Sequence, residues 1–137
     1  MLTELRQYTD KQAQTATPGR LVVMLYDGFL RFAAQAKAAF ERGDTGEAGL
    51  RLTRAQDIVT ELRVSLDMTR GEIPENLAAI YEYVTERLTA ARIGRDTGAI
   101  DESVRHMREL RDAWVSIANT PRPAAAGRPV VGVNLAG

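Results

Sequence analysis

Cysteine is absent from the chain, and histidine occurs once, as His106. The first absence excludes disulfides and thiolate metal sites and fits a reducing compartment. The second excludes carboxylate-bridged di-metal chemistry in a helical core, which takes a Glu-x-x-His pair from each of two helices. The single histidine has Ser103, not a glutamate, three residues before it. No serine stands in a nucleophile-elbow motif. The glycines of GDTGEAG, residues 43–49, are followed by no lysine and preceded by no strand pattern, which excludes a phosphate-binding loop. A charge excess is missing too: Lys plus Arg and Asp plus Glu are each 18. Nucleic acid is therefore not an expected partner, since phosphate binding needs a basic face. No apolar run approaches the ~18 residues of a membrane span, and MLTELRQYTD lacks the plan of a secretory signal. The expectation is a cytoplasmic protein with no membrane insertion, no cofactor and no enzymatic activity.

What the chain does contain is helical periodicity, punctuated by glycine and proline. Thr17-Pro18 reads as an N-cap followed by proline in the first turn. Leu21, Leu25, Phe29, Phe32, Ala36 and Phe40 then recur at period 3.6 until ERGDTGE. Asp44 and Glu47 have capping-box spacing before a second stripe, Ala48, Leu52, Ala55, Val59, Leu62 and Leu66. Pro74 suits the opening of a third helix, with Leu77, Tyr81, Val84, Leu88 and Ala91 on one face. Asp96 is placed to cap a fourth, carrying Ile100, Val104, Met107, Trp114 and Ala118. Four such segments with short breaks predict an all-α, antiparallel up-down four-helix bundle over 17–119. Residues 1–16 are expected to be flexible or to cap a groove. Residues 120–137, rich in proline, alanine and glycine, are expected to form a disordered tail.

The first helix is more apolar than one core contact requires. With Leu21 at zero on a wheel, its apolar residues cover ~200°, against the ~100° stripe of an ordinary bundle helix. Other helices carry extras off their core stripes: Leu50, Val64 and Met68, then Tyr83, then Leu110 and Ile117. Two neighbours packed against one helix account for such an arc, as does a surface that accepts apolar partner segments. Gly28 lies beside Leu21 and Leu25 on the wheel, suggesting close approach of a neighbouring backbone. Asp27 precedes Arg31 by four residues, the spacing of a solvated pair, and the same is expected of Asp57, Glu61, Asp101 and Glu102 with nearby arginines. His106 falls off its helix's core stripe, as a rim residue does.

Four stretches carry a resemblance. ATPGRLVVMLYDGFLRF resembles the opening helix of the flagellar secretion chaperone FliS family, and RAQDIVTELRVSLD its second-helix motif. GEIPENLAAIYEYVTERL is similar to the family's third-helix pattern, and LRDAW to its closing tryptophan segment. The four occur in order over residues 8–116. The resemblance implies a four-helix bundle that binds the C-terminal segment of flagellin, prevents early polymerisation and assists delivery to the flagellar type III export apparatus. Client contacts are then expected among Tyr8, Leu21, Met24, Leu25, Tyr26, Gln56, Ile58, Leu62, Leu66, Tyr81, Tyr83, Val84, Leu88 and Trp114. It also implies a masking role for the segment around Tyr8, contact with export gate components, and pairing of two copies when client is absent. A helical-bundle adaptor or export chaperone for a different client is the alternative.

Overall fold

The computed structural model describes residues 17–119 of the chain. Four helices follow one another: α1, Pro18–Glu41; α2, Thr45–Val64; α3, Glu72–Gly94; and α4, Thr97–Asn119. A single 3-10 turn, Met68–Arg70, lies in the α2–α3 connection. The expectations for residues 1–16 and 120–137, Tyr8 included, lie outside the described residues.

Local chemistry sets the helix ends. The Thr17 backbone is extended and its hydroxyl accepts from the Arg20 amide at 3.2 Å, satisfying one of the donors that a helix start leaves free. At the other end of α1, Gly43 takes φ 82°, its amide donates to the Phe40 carbonyl, and the Asp44 amide donates to that of Ala39. That is a Schellman closure, with glycine in the left-handed position. Asp44 caps α2 by accepting from the Glu47 amide at 3.0 Å. The capping box is only half formed, because the Glu47 carboxylate turns forward to Arg51 at 2.7 Å. Helix α3 starts at Glu72, two residues before the proline expected to open it, and Pro74 is buried in its first turn. Asp96 caps α4, accepting from the Ala99 amide at 3.1 Å.

The helices form an antiparallel up-down four-helix bundle. Its neighbours are α1 with α2, α2 with α3, α3 with α4, and α4 with α1; among the described residues no diagonal pair of helices brings its α-carbons within 8 Å. The stripes predicted for α2 and α3 are the buried ones, with Ile58 added on α2 and Leu66 only half buried. On α1 the prediction needs correcting. The buried residues are Val22, Val23, Tyr26, Phe29, Ala33, Ala36 and Ala39, whereas Leu21, Leu25, Phe32 and Phe40 are half buried. The core face is the centre of the broad apolar arc, from Ala36 at ~60° to Tyr26 at ~140°, because α1 sits between α2 and α4 and leaves the flank of Leu21, Phe32 and Leu25, at ~0–40°, only half buried.

Size grades along the core. Tyr26, Phe29, Tyr81 and Trp114 fill the end and middle nearest the α2–α3 connection, and Ala36, Ala39, Ala48, Ala91 and Ala99 fill the opposite end. Between them the hydroxyls of Tyr26 and Tyr81 meet at 2.6 Å, one donating to the other across the diagonal from α1 to α3. Burial pushes the Tyr26 phenol well above its ordinary range, reinforced by Tyr81. Burial likewise pushes Tyr81 up to about 12.

Gly28 approaches a side chain, not a backbone. A β-carbon there would lie 3.0 Å from the Ile58 δ-methyl on α2, with Arg31 next at 3.9 Å.

Both tyrosines are neutral acids held above their unfolded value near 10, so their contribution is intact below pH ~10 and is lost as pH rises through ~10–12. Over that interval the unfolded chain releases two protons that the folded one retains, a slope of about 2.7 kcal/mol per pH unit. Urea midpoints should fall steeply between pH 10 and 11, and the Tyr26→Phe/Tyr81→Phe chain should show a flatter decline. Gly28→Leu is expected to cost about 1–3 kcal/mol by overpacking. Gly28→Ala sets the ~1 kcal/mol helix gain of alanine against the Ile58 methyl, so that gain should emerge in full only in an Ile58→Val background. Thermal melts of the four-chain cycle read this coupling. At the end of α3, Arg95 is the left-handed residue, at φ 54°; Arg95→Gly should raise stability by about 0.5–1 kcal/mol in the same melts.

Candidate functional site

The thirteen described residues among those named from the sequence do not gather into one site. Tyr26, Ile58, Leu62, Tyr81, Val84, Leu88 and Trp114 are core residues, none more than 6% exposed. They have no surface to offer while the bundle keeps this packing; they lie on the inward stripes of their helices. Leu21, Met24, Leu25, Gln56 and Leu66 are half buried, and Tyr83 is exposed. Leu21 and Leu25, near the start of α1, share one end of the bundle with Leu66, just past the end of α2. Tyr83 faces α4 instead.

Each helix seam is closed on its outer side by a polar or cationic clasp. Between α2 and α3, the Gln56 amide nitrogen donates to the Thr85 carbonyl at 3.1 Å and to the Thr89 hydroxyl at 2.9 Å. Arg92 completes the row by donating to the Gln56 carbonyl and the Thr53 hydroxyl, both at 3.3 Å. Gln56 thus spends its hydrogen bonds within the bundle. Between α3 and α4, Glu102 accepts from the Tyr83 hydroxyl at 2.6 Å and from Arg87 at 2.8 Å. The Tyr83 bond holds the Glu102 carboxyl below its usual range, helped by Arg87, and the same bond pushes the Tyr83 phenol up. His106 meets the Tyr83 ring edge-to-face at 5.8 Å, the rim position the wheel indicates.

Between α1 and α4, Arg111 pairs with Asp27 and Lys37 with Asp101, each at 2.8 Å. Hydrogen bonding to Asp101 raises the Lys37 ammonium. These contacts correct the local pairing expected from the sequence: Asp27 reaches across to α4 and not along its helix to Arg31, and Asp101 and Glu102 also pair across seams. Arg31 instead stands over the Phe32 ring, 5.5 Å from its centroid, with Arg54 of α2 at 6.0 Å. The two guanidiniums cover the most aromatic point of the α1–α2 seam.

Exposed apolar surface lies elsewhere. The large hydrophobic side chains standing out are Leu50, Val64, Met68, Ile73, Tyr83 and Ile93, and none belongs to α1. Leu50, Val64, Met68 and Tyr83 were visible as extras off the core stripes. Ile93 was missed, although it lies ~160° from Leu77 on the α3 wheel. Ile73 gave no such signal, since it falls in line with the core stripe and is exposed by its place in the first turn of α3. Among the described residues no three His, Cys, Asp or Glu side chains converge to hold a metal, and no helix is long and apolar enough to cross a membrane. The described surface offers exposed apolar side chains between polar clasps, a pattern suited to holding a chain segment.

Known proteins give this surface a context. A profile of the family described as "Flagellar protein FliS" matches residues 1–121. A flagellar secretion chaperone FliS of Bacillus subtilis (strain 168) is 36% identical over 115 residues, covering 84% of this chain and 86% of its own. The flagellar secretion chaperone FliSB of Pseudomonas aeruginosa is 36% identical over 111 residues, 80% of this chain and 88% of its own. The FliS of Escherichia coli (strain K12) is 34% identical over 107 residues, 77% and 79% of the two chains. Order of helices, fold and sequence agree, and the chain belongs to the FliS family of flagellar secretion chaperones.

Proposed function

We propose that this chain is a cytoplasmic chaperone that binds the C-terminal region of flagellin, keeps it from polymerising and assists its delivery to the type III export apparatus. The observation that carries this is the family match, with relatives named as flagellar secretion chaperones over four-fifths of the chain. The structure supports it physically. A segment that is unstructured when free loses entropy on ordering, and it recovers that loss by spreading over a wide apolar surface. Exposed apolar groups spaced over α2, its connection to α3 and α3 itself provide that width.

The direct contacts are assigned to the accessible members of the predicted set: Leu21, Met24, Leu25, Gln56, Leu66 and Tyr83. The buried members hold the helices beneath them. Under the same reading, residues around Tyr8 mask client surface in the free chaperone, export gate components form a second contact, and two client-free copies pair.

Purified chaperone mixed with flagellin, intact or lacking its C-terminal segment, tests the central claim. Intact flagellin should co-elute and the trimmed form should not; equal retention of both overturns the proposal. Calorimetry with the flagellin C-terminal peptide should show Met24→Glu and Tyr83→Ala each weakening binding by about tenfold, ~1.4 kcal/mol, with the helical signal unchanged.

A further inference from the structure

Three of the exposed apolar side chains crowd one place, the connection between α2 and α3: Val64 is 73% exposed, Met68 52% and Ile73 39%. The same end of the bundle is where α4 stops, at Asn119. Antiparallel α3 and α4 are neighbours, so the last turn of α4 lies beside the first turn of α3, which holds Ile73. Asn119, from which the chain continues into residues 120–137, therefore lies next to this patch.

Their sequence, TPRPAAAGRPVVGVNLAG, complements it. The stretch is nearly uncharged except for Arg122 and Arg128, both basic. Its apolar groups are concentrated at Val130, Val131, Val133 and Leu135. On extended backbone Val131, Val133 and Leu135 share one face, because side chains alternate with period 2. On the bundle, Glu72 and Glu75 flank Ile73, are exposed, and enter no ion pair among the described residues.

We propose that residues 130–135 of this chain dock, extended, on the Val64–Met68–Ile73 patch, with Arg122 and Arg128 facing Glu72 and Glu75. Ten residues lie between Asn119 and Val130, and the eleven steps of chain span up to ~36–40 Å, so reach is not limiting. Tethering supplies an effective concentration on the order of millimolar, so a contact too weak to hold a free peptide suffices within one chain. The docked segment covers the most exposed apolar corner of the bundle, a hazard for association when left bare. This inference concerns the free chain and stands independently of which client the chaperone binds.

The absence of cysteine makes the test clean. The full chain with Asn76→Cys and Gly137→Cys places one thiol a turn beyond Ile73 and the other on the face of the extended segment that carries the triplet, two residues past Leu135, leaving all six apolar groups in place. Under mild oxidation the intramolecular disulfide should form about ten times faster than in the same chain with Val131, Val133 and Leu135 all changed to serine, the factor expected when docking raises the local concentration. These serines lie outside the bundle and keep the tether length, so random encounter is identical in both chains. Equal rates would mean that tethering alone brings the thiols together, and the docking would be refuted. A chain with Leu5→Cys and Asn76→Cys gives the rival occupant its chance. If it closes faster than the Gly137→Cys chain, the patch belongs to the N-terminal segment and the proposal falls.

Discussion

One buried hydrogen bond sets the register on which the bundle depends. Four helices in a square touch only along their seams, and seam contacts alone allow two diagonal helices to slide past each other. The Tyr26–Tyr81 hydroxyl pair removes that freedom, joining α1 to α3 through the middle of the core. A slip of one residue in either helix would turn its tyrosine by ~100° and strand the other hydroxyl in apolar surroundings. An unsatisfied buried polar group costs about 1–3 kcal/mol, beyond the packing lost with it. The pair is therefore worth more as a specifier of alignment than as net stability. The grading of the core fits around it. Aromatic side chains near the α2–α3 connection call for wider helix spacing than the alanines at the opposite end, because interaxial distance follows the residues at the contact.

Stability and binding are then carried by different parts of the molecule. The seam clasps are largely solvent-accessible: the Lys37–Asp101 side chains are 40% and 55% exposed, and those of Arg111–Asp27 34% and 44%. Exposed pairs of this kind contribute about 0–1 kcal/mol each. The core of leucine, isoleucine, valine and aromatic residues carries the fold, and the clasps mainly choose which faces meet. A rim held this loosely tolerates a partner lying across it without threatening the bundle. That separation suits the reversible client binding proposed above.

Helix caps and the α2 and α3 core stripes were legible in the sequence because each depends on residues close together in the chain. Thr17, Asp44 and Asp96 cap as their positions indicate, and every apolar residue of the α3 stripe is buried. The α1 stripe was not legible, because ~200° of apolar arc contains several stripes and only the neighbours decide among them. Val22 and Tyr26 won over Leu21 and Leu25 through contacts with residues more than thirty positions away, among them Ile58 and Tyr81. Charge pairing failed for the same reason. Asp27 has an acceptable local partner in Arg31, but antiparallel α4 brings Arg111 within 2.8 Å, and sequence spacing carries no record of that. The candidate site inherited both problems. Residues of the recurring family motifs include core and surface alike, so naming them from motifs mixed buried Tyr26 and Trp114 with accessible Met24 and Tyr83.

The distribution of apolar surface narrows where a partner can bind. Helix α1 looked like the source of surplus surface, yet its large apolar residues are all at least half buried, and two arginines cover Phe32. What the neighbours leave uncovered lies on α2, α3 and their connection. In the proposed complex, a client crossing from Leu21 and Leu25 toward that region meets Leu66 at the shared end of the bundle. A long segment following this path would gain apolar contact a little at a time, with no single side chain buried in a deep pocket. Many shallow contacts give an affinity that is the sum of small terms, and such a complex can be peeled apart from one end. Reversibility of that kind follows from the shape of the surface before any export machinery acts on it.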